Sequence, residues 1–245
     1  MKDLYGTTSP APENQKQDLS LPAAAALSVP RPEPPPPPPA RLGGSGSGNK
    51  PPPRRPLVLN EKATSELLGD LRDRRLDVAF LRPTTGETEG LLSEHLFDER
   101  MTITLPHSHR LAKRSRLPLL ELAGEPFIMY PRTNGSAIYD TIIAACQNAG
   151  FSPRIAQEAP QISSTVNLVA TGIGVTLVPE SMSHLQTHRV VYRPIVGEAP
   201  RATMSLAVRG GPTSAALESF LTTVRALVAE QRTTNARGSR QDRRA

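Results

Sequence analysis

The sequence predicts an α/β fold, and three observations carry that prediction. From residue 57 onward, short apolar runs alternate with segments whose apolar residues recur at helical spacing. The first unit, 57–81, reads as strand, helix and strand, which favours a parallel unit with a right-handed crossover. Gly150 and Gly172 each follow a helical segment and suit the position just past a helix end. Strands and helices in alternation are typical of α/β domains.

The first strand is predicted at 57–59, and the next at 76–81. Thr64 or Ser65 is predicted to cap the helix between them, because either hydroxyl can accept a hydrogen bond from a free first-turn amide. The apolar side chains that form one face of this helix are Leu67, Leu68 and Leu71.

The later elements continue the alternation to residue 230. Three more helices are predicted, at 136–149, 163–171 and 214–230, from apolar stripes at helical spacing. The predicted strands are 96–97, 101–105, 126–130, 154–157, 175–178, 190–192 and 204–208.

Residues 1–56 contain 15 of the 26 prolines and a run of alternating glycine and serine, and we expect them to be disordered. The run 34–39 is unbroken proline, which favours a short polyproline II helix, either as a spacer or as a ligand for a proline-binding partner. The basic end, 233–245, is also expected to be disordered.

The positive charge belongs to the two ends of the chain. The net charge is +6, of which +3 lies in 1–56 and +3 in 233–245, so 57–232 is neutral. A folded nucleic-acid-binding domain usually carries a concentrated basic face, so the neutral middle argues against DNA contact there. The arginines of the tail offer only weak, salt-sensitive attraction to polyanions, or serve as a solvated end.

A cytoplasmic location without membrane contact is expected. Cys146 is the only cysteine, so an internal disulfide is impossible. The N-terminus has no apolar signal segment, and the Ala-rich stretch 21–29 is far too short to span a bilayer.

Four segments, in order along the chain, make a specific series. They are 64–68 with 75–83 (TSELL and RLDVAFLRP), 105–112 (LPHSHRLA), 125–128 with 150–153 (EPFI and GFSP) and 168–179 (LVATGIGVTLVP). This series resembles the C-terminal domain of LysR-type transcriptional regulators, with Arg110 where proline is usual. Each segment alone is a weak match, but all four occur in the right order within a region of about 175 residues, 57–232. Regulators of aromatic-acid degradation look nearest.

The resemblance implies a two-lobed fold like that of type 2 periplasmic binding proteins, with an effector in the cleft between the lobes. Lobe one would comprise about 57–98 plus 203–232, and lobe two about 99–202. The implied function is sensing of a small organic acid, aromatic or dicarboxylic, to modulate transcription. Family members usually pair as antiparallel dimers, so the implied protein partner is a second copy or an intact regulator of the family.

Six residues are candidates for the ligand site. Helix N-termini attract anions, and two of them would face the cleft, at Thr64 and at Asn134, Gly135 and Ser136. Arg82 and Arg132 would add forked donors suited to a carboxylate. Simple helix caps at Thr64 and Ser136, and solvated loop arginines, are the alternatives.

An enzyme is not expected, and no cofactor or metal is predicted. His107 and His109 lack flanking ligands at metal-site spacing. Cys146 lies on an apolar helix stripe, which is typical of core. Gly172 and Gly174 precede a strand rather than follow one, which fails the context of a dinucleotide loop.

Two alternatives to a regulatory domain remain open from the sequence. One is a solute-binding protein of similar fold, which would normally carry an export signal. The other is a regulator fragment that acts only through protein contacts. The resemblance also implies a helix-turn-helix head for DNA binding, and a first strand and helix of lobe one, that this chain lacks. Lobe one is therefore expected to be incomplete, as in a truncated or frameshifted gene.

Overall fold

The computed structural model describes residues 25–28, 58–184 and 188–241, and it confirms an α/β fold. The described strands are β1 Ala25–Ser28, β2 Val58–Glu61, β3 Val78–Leu81, β4 Leu91–Pro106, β5 Pro126–Met129, β6 Arg154–Glu158, β7 Thr176–Pro179, β8 Val190–Pro194 and β9 Arg201–Arg209. The described α-helices are α1 Thr64–Arg72, α2 Ser136–Asn148, α3 Ile162–Ala170 and α4 Ala215–Gln241, and short 3-10 helices lie at Leu119–Leu122 and Glu180–His184.

Lobe one is a sheet with a helix on each face. Its strands lie in the order β2, β1, β3, β9 and the first part of β4. Successive side chains of a strand point to opposite faces, so β3 contributes to two cores. Val78 and Phe80 pack with α4, whereas Ala79 and Leu81 pack with α1. All four are almost fully buried, so β3 is the centre of this lobe.

Lobe two is built around the second part of β4, which pairs with β7 on one side and β8 on the other. Ile138, Ile142 and Cys146 of α2 pack into the larger core, which includes Phe127 of β5. The opposite face carries α3, whose apolar stripe packs against Ile128, Val178 and Val190. Because α2 covers one face of the sheet and α3 covers the other, both faces of β5 and β7 are apolar.

The lobes are joined by β4 and β9, which pair from Leu91 opposite Arg209 to Arg100 opposite Arg201, with one shift of register between His95 and Phe97. Two separate strands at 96–97 and 101–105 were predicted, and that is wrong, because one 16-residue strand spans both. The polar residues between the two apolar runs hid the continuity. Asp98 is one of them, and its carboxylate accepts a hydrogen bond from the Thr203 hydroxyl (2.7 Å) directly opposite.

Two stretches predicted to be disordered contain regular structure. Ala25–Ser28 forms β1, which pairs antiparallel with both β2 and β3. At the other end, α4 runs on through residues 233–241. A prediction from composition considers only how much apolar surface a segment can bury. It therefore misses strands that are held by backbone pairing, and helices that extend from a first part packed against the core. The polyproline prediction at 34–39 lies outside the described residues.

Candidate ligand-binding cleft

A cleft with about 390 Å³ of space, counting its opening to solvent, lies between the lobes. The residues that line it come from both lobes: Glu61, Lys62, Thr64, Arg82, Tyr130, Gly135, Ile138, Gln161 and Ile162.

Three helix N-termini meet at this cleft. α1 begins at Thr64, α2 begins after Gly135, and α3 begins after Gln161. In the described residues, none of these three helices has a side-chain hydrogen bond at its N-cap position. The prediction that Thr64 or Ser65 caps α1 is therefore wrong, and so is the alternative that Ser136 caps α2. First-turn amides have no intrahelical partner, and the helix dipole makes each end attractive to an anion. The arrangement therefore favours a negatively charged group.

Arg82 follows β3 and lies almost fully buried, at 3% exposure, in the cleft wall. Its Nη2 donates to Glu99 Oε1, and the other Glu99 oxygen accepts a hydrogen bond from the Ser181 amide (3.0 Å). Burial lowers the pKa of the Arg82 guanidinium, and the charge and hydrogen bond of Glu99 oppose that effect. Among the residues that the structure describes, none offers a hydrogen-bond acceptor to the Arg82 Nε and Nη1 atoms. Buried donors are normally paired, so these two mark a place for an acceptor.

Two hydrogen bonds join the lobes beside the cleft. The Thr64 amide donates to the Asn134 carbonyl oxygen across 2.9 Å, and the Ser65 hydroxyl donates to the Thr133 carbonyl oxygen across 3.3 Å. These bonds hold the N-terminus of α1 against the loop that precedes α2, so the cleft is closed on this side.

A carboxylate from lobe one also reaches the start of α2. The Ser136 hydroxyl donates to Glu87 Oε1 (2.8 Å), and the Thr84 amide donates to Glu87 Oε2 (2.7 Å). Burial alone would raise the pKa of Glu87, but the hydrogen bonds from Thr84 and Ser136 outweigh it and lower the pKa. The Glu87 carboxylate therefore places a negative charge from the protein at the N-terminus of α2, where it accepts a hydrogen bond from the first residue of the helix.

Of the six predicted site residues, the structure brings Thr64, Arg82 and Gly135 into the cleft lining. Gly135 is required by close approach, since a Cβ there would lie 2.4 Å from Cε1 of Tyr130. Ser136, beside it, is not among the lining residues.

The remaining two candidates, Arg132 and Asn134, also lie outside the lining. The Arg132 side chain is 65% exposed, and its Nε and Nη2 pair with the Asp140 carboxylate at 2.8 and 3.1 Å. Asn134 acts through its backbone carbonyl toward Thr64, and its side-chain amide donates to the Pro160 carbonyl oxygen across 3.4 Å.

Sequence reasoning missed the other lining residues. The helix N-terminus argument was applied to α1 and α2 only, and the same argument at α3 points to Gln161 and Ile162. Tyr130 and Ile138 form the apolar wall, and burial raises the pKa of the Tyr130 hydroxyl. No sequence signal separates such residues from ordinary core.

Other chemistry is poorly supported in the part of the chain that the structure describes. Within residues 58–184 and 188–230, no cluster of three or more His, Cys, Asp or Glu is placed to hold a metal ion. Burial raises the pKa of the Cys146 thiol to about 12, so it is a poor nucleophile at neutral pH. No helix in the described ranges is long and apolar enough to cross a membrane.

Comparison with known proteins gives consistent matches. A family model described as "LysR substrate binding domain" matches residues 53–229. The HTH-type transcriptional regulator TtuA of Agrobacterium vitis is 36% identical over 138 residues, which are 56% of this chain and 45% of TtuA. The chain spans about half the length of the curated relatives that it matches.

Two solved structures illustrate the likeness of fold. The BenM effector binding domain with its effector benzoate has a TM-score of 0.60 at 23% identity, covering 70% of this chain and 78% of that one. The effector binding domain of QuiR in complex with shikimate has a TM-score of 0.60 at 20% identity, covering 69% of this chain and 79% of that one. At these identities, the likeness concerns the fold.

Proposed function

Because the chain belongs to the LysR substrate binding domain family, whose matched relatives are transcriptional regulators rather than enzymes, we propose that its cleft binds a small organic acid. Binding of that acid would be the signal that modulates transcription.

The observation that carries the proposal is the pair of unpartnered donors on Arg82, at the place where three helix N-termini meet. The guanidinium charge is already balanced by Glu99, but two of its nitrogens still need an acceptor. A carboxylate supplies acceptor oxygens and the negative charge that helix N-termini favour. Thr64 is proposed as a further polar contact, and Gly135 as the point of closest backbone approach.

The apolar part of the lining supports an acid with a hydrocarbon or ring body. Ile138, Ile162 and the Tyr130 ring offer nonpolar contact opposite the polar wall. Glu61 and Lys62 are both in the lining, so their opposite charges favour neither an aromatic nor a dicarboxylic acid. Benzoate and shikimate, the ligands of the two structural neighbours, each carry one carboxylate.

Isothermal titration calorimetry of the whole chain against a panel of aromatic and dicarboxylic acids tests the proposal. The decisive variant is Arg82→Lys, which keeps a positive charge beside Glu99 and removes the guanidinium donors. We expect affinity to fall by about 10- to 100-fold, as for loss of a charge-assisted hydrogen bond. Arg132→Lys, outside the cleft, is the matched control and should bind like the parent.

Two results would refute the proposal. One is a sample that is folded by circular dichroism and binds no acid of the panel. The other is an Arg82→Lys variant that is folded and binds as tightly as the parent.

We further propose a cytoplasmic location, self-association with a second copy or an intact family member, and no direct DNA contact by residues 57–232. Zero net charge over that range supports the last point, since it gives no general attraction to phosphates. A mobility shift with one preferred DNA sequence at physiological salt would contradict it.

A further inference from the structure

A gap one strand wide separates β2 from β3. These strands flank α1 in the chain, yet they do not pair with each other, because β1 lies between them. β1 is antiparallel to both, so β2 and β3 run parallel. Neighbouring strands lie about 4.8 Å apart, so β2 and β3 are separated by about 10 Å, too far for direct hydrogen bonds. Without β1, their facing edges would have no partner.

An empty gap would be costly on the β3 side. With β1 in place, residues Val78–Leu81 are at most 1% exposed, so the edge of β3 that faces the gap lies within the core of the lobe. Buried backbone donors and acceptors are almost always paired. β1 pairs Ala25 with Phe80, Ala26 with Ala79 and Leu27 with Val78. On its other side it pairs with all four residues of β2.

The strand that fills the gap comes from far along the chain. Residues 29–57 connect Ser28 to Val58, and those two ends lie opposite each other in the ladder. The two ends of the connection are therefore close together. The entropic cost of closing such a loop grows only slowly with its length. Alanine has low strand propensity, so the backbone partners offered by β2 and β3, more than the sequence AALS, favour this strand.

The gap also determines where the cleft residues stand. β2 ends at Glu61, shortly before Thr64, and β3 ends at Leu81, directly before Arg82. Both strands thus deliver cleft-lining residues at the same end of the sheet. The width of the strand between them sets the spacing of those residues.

We propose that the gap between β2 and β3 is a binding site for an extended peptide strand, occupied by the tethered segment Ala25–Ser28 of the same chain, and that occupation positions the lobe-one wall of the cleft. Its consequence for ligand affinity rests on the function proposed above. The two experiments that test the docking of the strand are independent of that function, because neither uses a ligand.

Disulfide trapping tests the docking. The variant Ala26→Cys with Asn60→Cys joins directly opposed positions, whereas Ala25→Cys with Val58→Cys joins positions at opposite ends of the ladder and serves as control. Cys146 is buried with a raised thiol pKa, so it will not compete. We expect the opposed pair to form an intrachain disulfide at least tenfold faster than the control pair. Equal rates would overturn the proposal, and a covalent dimer would assign the strand to a second copy instead.

Hydrogen exchange tests the effect on the cleft. Ala26→Pro removes a backbone donor from the middle of the strand, and Ala40→Pro adds a proline beside the existing run as control. We expect at least tenfold faster exchange in β2 and at the Thr64 amide, with Phe127–Met129 of lobe two unchanged. Unchanged exchange at β2 and Thr64 would overturn the proposal. If Ala26→Pro also exposes lobe two, β1 supports the whole fold and the proposed local role is wrong.

Discussion

Lobe one and lobe two are built from similar elements but are held together differently. Lobe two takes its described elements from consecutive segments and surrounds β4 with two apolar cores. Lobe one places β2 at its outer edge, where Val58 is 41% and Leu59 61% exposed, and joins it to the sheet through β1. The difference shows that side-chain packing stabilises lobe two, whereas the outer part of lobe one depends on backbone pairing with a distant segment.

The largest expected effect is on the core of lobe two. Phe127 is fully buried, and Phe127→Ala should lower the free energy of unfolding by about 3 to 5 kcal/mol because it leaves a cavity. Val58→Ala, at the exposed edge of lobe one, should change it by less than about 0.5 kcal/mol. Urea unfolding of both variants measures the contrast. Similar losses would mean that β2 contributes packing that its exposure does not indicate.

A pair of glycine substitutions should act in opposite directions in the two lobes. A Cβ at Gly174 would lie 2.4 Å from the Pro126 carbonyl oxygen, so Gly174→Ala should destabilise lobe two by about 1 to 3 kcal/mol. Gly69 lies inside α1 with open space around it, so Gly69→Ala should stabilise lobe one by about 0.5 to 1 kcal/mol. Thermal unfolding gives the sign of each change, and two shifts of the same sign would contradict this reasoning.

The buried carboxylate of lobe one should make that lobe sensitive to acid. Asp70 accepts hydrogen bonds from Lys62 (2.6 Å) and Arg75 (2.7 Å), and these bonds lower its pKa. A lowered pKa stabilises the fold above the unfolded value of about 3.9, and that contribution is lost as pH falls through the folded value. Asp70→Asn should therefore cost about 1 to 2 kcal/mol at pH 7, since both partners are partly exposed.

The pH dependence gives the control for that prediction. The difference in unfolding free energy between parent and Asp70→Asn should shrink as pH falls below about 4. A difference that stays constant down to pH 2 would show that the effect of the substitution is not electrostatic.

The sequence predicted lobe two better than lobe one, for physical reasons. β5, α2, β6, α3 and β7 each follow a local periodicity, and predicted and observed bounds differ by a few residues at most. β1 could not be predicted, because its strand conformation depends on a gap formed by residues at least 30 positions away.

The candidate site was predictable in part. Thr64, Arg82 and Gly135 line the cleft because each stands at the end of an element that faces it. Ser136 and Arg132 are instead bonded to carboxylates, Glu87 and Asp140. Asp140 lies on α2 and could have been noticed, but the approach of Glu87 depends on how the lobes meet.

The smallest expected effect concerns that contact between the lobes. Glu87→Gln keeps the shape of the side chain but weakens its bonds to Ser136 and Thr84, and it should cost about 0.5 to 1 kcal/mol. Faster hydrogen exchange at the Thr64 amide is the readout of a loosened cleft. Glu89→Gln, on the exposed side of the same loop, is the control and should exchange like the parent.

The pairing of β4 with β9 across the boundary determines how the lobes can move relative to each other. Because both strands cross the boundary while bonded to each other, neither can bend alone without breaking the ladder. The motion that preserves every rung is torsion of a two-stranded ribbon about its long axis, and isolated pairs of strands are the most easily twisted. The cleft would then open by rotation of one lobe relative to the other about the long axis of the ribbon. The ladder would deform most easily at the irregularity between His95 and Phe97.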